Sequence, residues 1–148
     1  MSNLVEQIHT KIKTITGTVL GSSYQLMQRP FSPEKNTARG AFKAYGVLCG
    51  SATSAETTLR SYTLDQNFEV LLQSTFVDRL DDTDKQVVIN DLYDQSSKLF
   101  KEYFYKKLEL PSIVYVVNNP SLSQPEIIEN KTILLRVGIT VKYRENIT

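Results

Sequence analysis

Residues 62–76 carry a two-residue alternation of apolar and polar side chains. Tyr62, Leu64, Phe68, Val70, Leu72 and Phe76 share one parity, with Gln66 and Ser74 as its polar members; Ser61, Thr63, Asp65, Asn67, Glu69, Gln73 and Thr75 lie on the other. Successive strand side chains point to opposite faces, so the pattern predicts one strand with a buried face and a wet one. At about 3.3 Å per residue it would be roughly 50 Å long, against a body roughly 40 Å across for a domain of this size. The strand must therefore bend, fold back at Asp65-Gln66-Asn67, or reach a neighbour. We expect its first part, residues 57–66, to extend past the body and touch another subunit.

The remaining pattern predicts two helices and four more strands. Leu4, Val5, Ile8, Ile12 and Ile15 recur at helical spacing, with Asn3 and Glu6 as a capping pair and Gly17 as the terminator, which gives a helix over residues 4–16. Residues 24–28 form a short strand before Arg29-Pro30, and residues 31–40 a projecting loop. A strand over 41–49 precedes a small-residue connection over 50–57. Thr83 and Gln86 open a helix running to residue 108, with Val88, Ile89, Leu92, Tyr93, Leu99, Phe100, Tyr103 and Phe104 as its apolar stripe and Pro111 beyond its end. The apolar run 113–117 reads as a central strand, and 118–131, with Pro120 and Pro125, as a second projecting loop. Ile133, Leu135, Val137, Ile139, Val141 and Tyr143 then alternate against polar partners, with Leu134 and Gly138 as exceptions on the wet side. The expected class is α+β: a mixed, mostly antiparallel sheet of about five strands against two helices, in one domain spanning residues 1–148.

Composition narrows the function classes. Seventeen basic and sixteen acidic side chains leave a net charge of +1, which supplies no field for capturing nucleic acid or an anionic membrane. The single Cys49 fits synthesis in a reducing compartment. No apolar run approaches the roughly 20 residues of a membrane-spanning helix, and no leader pattern opens the chain, so it is expected to be neither exported nor embedded.

Candidate chemistry is sparse. His9 is the only histidine and has no orienting partner in its helix, so it reads as a surface or interface residue. Cys49 lacks a neighbour that would lower its pKa. Asp78, Asp81, Asp82 and Asp84 lack the spacing of a calcium loop and suit a helix start. Lys98, Lys101, Lys106 and Lys107, interleaved with Tyr103, Phe104 and Tyr105, read as the solvated face of an amphipathic helix. Nucleotide-binding, nucleophile-elbow and zinc-protease strings do not occur. No catalytic, metal-ligating or cofactor-binding set is assigned, and no cofactor is expected.

The capped first helix, the stretch SYTLDQNFEVLLQSTF, the helix over 83–108 and the ending ILLRVGITVKYRE together resemble, in order and character, the tail-terminator (tail-completion) proteins of long-tailed bacteriophages. The resemblance implies a non-enzymatic virion protein, assembled in the host cytoplasm, that forms a homo-oligomeric ring, typically a hexamer, at the head-proximal end of the tail. Such a ring caps the tail tube, ends its polymerisation and presents a joining surface to the head-completion or neck protein; neither membrane nor sequence-specific nucleic acid is an expected partner. Ring closure needs two different surfaces on each subunit. Phe31, Lys35, Arg39, Arg60, Tyr62, Leu64, Asn119, Leu122 and Arg136 are the interface candidates. The competing readings are another phage neck or connector subunit, a small enzyme with a cleft on its sheet, and an adaptor that binds peptides along an exposed strand edge.

Overall fold

The computed structural model describes residues 4–27, 42–57, 61–106 and 114–146. Its elements are α1 (Leu4–Leu20), β1 (Tyr24–Leu26), β2 (Phe42–Thr57), β3 (Ser61–Thr75), α2 (Asp82–Lys106), β4 (Val114–Leu122), β5 (Glu126–Ile128) and β6 (Thr132–Asn146). The sheet runs β1-β2-β3-β6-β4, with β5 pairing β6 beside the end of β4. Among the described residues, only β1 and β2 are parallel. The class is α+β, with two helices and six strands.

The isoleucine stripe of α1 and the apolar parities of β2, β3 and β6 meet in the main core. Ile8, Ile12, Val47, Phe68, Val70, Leu72, Leu92, Leu99, Tyr103, Val137, Ile139 and Val141 are buried there together. Both helices therefore cover the same face of the sheet. Tyr103 of α2 reaches Thr16 of α1 at 2.5 Å; Thr16 gives its one proton to the Ile12 carbonyl at 2.6 Å, so the Tyr103 hydroxyl is the donor.

Three expectations about the helices change. Gly17 does not end α1, which continues to Leu20 and stops before Gly21, where φ is +80°. Gly17 instead allows close approach, because a Cβ there would lie 2.6 Å from the Tyr45 hydroxyl. The cap of α2 is Asp81, whose Oδ1 accepts the Asp84 N–H at 2.7 Å; Gln86 turns forward to Asn90 rather than back. Asn3 and residues 107–108 lie outside the described residues.

The strands change more. Residues 50–57, expected as a connection, continue β2, and residues 118–122 and 126–128, expected in a loop, form parts of β4 and β5. Small residues in 50–57 and Pro120 masked these strands, and the register shows why each is tolerated. β2 bulges against β3 between Cys49 and Ala52 and between Ser54 and Glu56, and β4 bulges against β6 between Asn118 and Ser121, around Pro120. A bulge takes up a residue that the ladder cannot pair.

β3 stays extended through residues 65–67 and pairs β6 without a break from Ser61↔Asn146 to Thr75↔Thr132. No hairpin forms at Asp65-Gln66-Asn67. The first part of β3 is flanked within the chain by β2 and β6, so its length is shared by three long strands. The two polar members of its buried parity also have places. Gln66 Nε2 donates to the carbonyls of Gly50 (2.6 Å) and Ser51 (3.3 Å), securing the first β2 bulge. Ser74 is buried near Tyr24, though neither hydroxyl completes a hydrogen bond.

The reverse face is not wholly wet. Leu71, on the polar parity of β3, and Leu134 of β6 are buried with Met27 and Ala44, against Ile128. This small second core explains the exceptional Leu134 and covers one end of that face. The other end is open.

Candidate functional site

The open end of the reverse face holds a trough of about 500 Å³. The pleat builds it: Leu48 of β2, Asn67 and Glu69 of β3, and Arg136, Gly138 and Thr140 of β6 project from neighbouring strands, and Ser121, Leu122 and Ser123 form one wall. Gly138 stands opposite Glu69 in the ladder, and a Cβ there would collide with the Ser121 hydroxyl. The glycine thus lets β4 close against β6 at its bulge.

Polar groups of the floor are tied to one another. Thr140 Oγ1 donates to Asn67 Oδ1 at 2.8 Å, and Asn67 Nδ2 to Ser51 Oγ at 3.2 Å. Arg136 lies between two carboxylates, 3.5 Å from Glu69 and 3.4 Å from Glu126. Its backbone N–H donates to Ser123 Oγ at 3.1 Å. Glu69 and Arg136 are the charged side chains of the lining and offset each other, while Glu126 meets Arg136 from outside it. Leu48 and Leu122, 42% and 43% exposed, border it as apolar shoulders. Apolar shoulders around an orienting charged group suit recognition of another protein surface.

Leu122 and Arg136 are thus brought together. Tyr62 and Leu64 are not: they lie at the start of β3 on the core-facing parity, and Leu64 packs partly against the main core. Leu64 stands opposite buried Tyr143 in the ladder. Asn119 lies in β4 and its side chain is outside the description; Phe31, Lys35, Arg39 and Arg60 lie outside the described residues. Sequence reading missed Leu48, Glu69 and Glu126. A register for β3 and β6 would have placed Glu69 beside Arg136, since Leu71↔Arg136 and Glu69↔Gly138 are adjacent same-face pairs.

His9 is half-buried and has a partner outside its own helix. Its Nε2–H donates to the Val47 carbonyl at 2.7 Å, and the ring stacks on Phe68 at 6.2 Å, which fastens α1 to an otherwise open part of β2. Burial pushes the Cys49 thiol above its ordinary value, which disfavours a thiolate.

No family model matches this chain, and no curated protein matches it. Among solved structures, one chain aligns over 95% of this chain and 96% of its own length, with 16% identity and a TM-score of 0.42.

Proposed function

We propose that this chain is a tail terminator: a non-enzymatic virion protein that forms a ring, typically hexameric, caps the tail tube, ends its polymerisation and joins the tail to the head or neck. The mechanism is binding. The observation that carries the reading is the asymmetric sheet, with both helices on one face and, on the other, a trough bordered by exposed Leu48 and Leu122 around Arg136, Glu69 and Glu126. A ring subunit must meet its neighbours and a partner protein through different surfaces. We assign the trough to that partner, the tube or head-completion protein. The element order on which the resemblance rests also supports the reading.

The test is tube growth in the presence of the purified chain and the tube protein of the same genome. The wild-type protein is expected to stop growth and give capped tubes of bounded length. Leu122→Asp combined with Arg136→Glu should retain self-association yet lose capping. Unbounded growth with the wild-type chain contradicts the proposal.

One observation favours the adaptor as a second reading: among the described residues, β1 pairs only residues 43–45 of β2, and no strand covers the outer edge of residues 46–56. Two bulges interrupt that edge and His9 occupies the Val47 carbonyl, features that protect an edge from strand addition.

A further inference from the structure

α2 concentrates opposite charges at two places. At its start, Asp78, Asp81, Asp82 and Asp84 are exposed, accompanied by Arg79 and Lys85, and exposed Val77 (58%) and Val87 (63%) flank the cluster. Asp81 is committed to the cap and Asp82 to Lys85 at 3.6 Å. Asp78 and Asp84 remain exposed at the rim. Four carboxylates against two cations give a surplus of two negative charges.

Sixteen residues further along, about 24 Å at 1.5 Å per residue, α2 and α1 enclose a groove of about 520 Å³. Its charged lining is Lys11, Lys98, Lys101 and Glu102, and Ile15 and Val19 contribute its apolar surface. Three cations against one carboxylate give a surplus of two positive charges. The acidic turn with its two valines and the basic groove with its apolar lining thus complement each other in both charge and polarity. They cannot meet within one chain, because one rigid helix holds them apart. Two such surfaces on one body are what a head-to-tail contact requires.

We infer that the α1–α2 groove receives the acidic turn at the start of α2 from a second copy of this chain, and that this contact, repeated, closes the ring; the inference rests on the ring reading above. Exposed ion pairs are individually weak and screened by salt, so the valines seated against Ile15 and Val19 supply attraction while the charges select partner and orientation. Nucleic acid is a poorer occupant for a groove with an apolar lining and a surplus of only two charges.

The test is a charge exchange read by sedimentation velocity at low salt, with circular dichroism and thermal melts confirming folding. Lys98→Glu with Lys101→Glu should weaken self-association at least tenfold, as should Asp78→Lys with Asp84→Lys. Mixing the two variants should restore assembly, because each reversed surface finds its complement on the other variant and an even-membered ring closes by alternation. Val87→Ser, which leaves every charge in place, should also weaken assembly. Folded reversal variants that assemble like the wild type, or a mixture that fails to recover, overturn this contact while leaving ring formation standing. A wild-type chain that assembles neither alone nor on the tube overturns both.

Discussion

At the scale of single residues, the informative positions are those that break a pattern. Gln66 is polar on an apolar parity because it hydrogen-bonds the carbonyls released by the β2 bulge. Gln66→Leu should cost about 1–3 kcal/mol, the usual range for stranding buried polar groups, measurable by urea unfolding. Gly17 is set by the Tyr45 hydroxyl, not by helix termination. Gly17→Ala should therefore destabilise by about 1 kcal/mol through overpacking, whereas the same change in a Tyr45→Phe background should be neutral or stabilising, because helix propensity favours alanine by about 1 kcal/mol. Loss in both backgrounds would refute the steric account.

Buried phenols give a further residue-scale prediction. Burial, then the Asp91 carboxylate, push Tyr24 from 10 up to about 12, and burial also raises Tyr45 and Tyr103. The unfolded chain releases these protons near pH 10 and the folded chain only above it. Between pH 10 and about 12 the unfolded state therefore binds fewer protons, so stability is undiminished below 10 and falls through that window. Thermal melts across that range should show the decline, and Tyr24→Phe should make it shallower without lowering stability at pH 7, since the Tyr24 hydroxyl has no hydrogen bond to lose.

At the scale of elements, periodicity revealed β3, β6 and both helices because their apolar faces meet one core. It failed for residues 50–57 and 118–128 because strands held by backbone ladders at a sheet margin need no apolar alternation, and bulges disrupt the parity that remains. Leu71 and Leu134 misled in the opposite direction, since a one-sided strand pattern leaves no room for a second small core. The trough was half legible: Leu122 and Arg136 stood out along the chain, but Leu48, Glu69 and Glu126 join them only through register. The start of α2 depends on a cap two residues before the expected Thr83. Asp81→Ala should cost about 1 kcal/mol, while Thr83→Ala should cost little; the reverse order in denaturant unfolding would contradict the assignment.

At the scale of the whole molecule, three long strands form a plate with helices on one side and a charged trough on the other. A body proposed to work by assembly is tested most directly by electron microscopy of the tube protein polymerised with and without the purified chain. A ring at one end of each tube and bounded lengths are expected when the chain is present. Uncapped tubes of unchanged length, with the chain remaining monomeric beside them, would contradict the proposal.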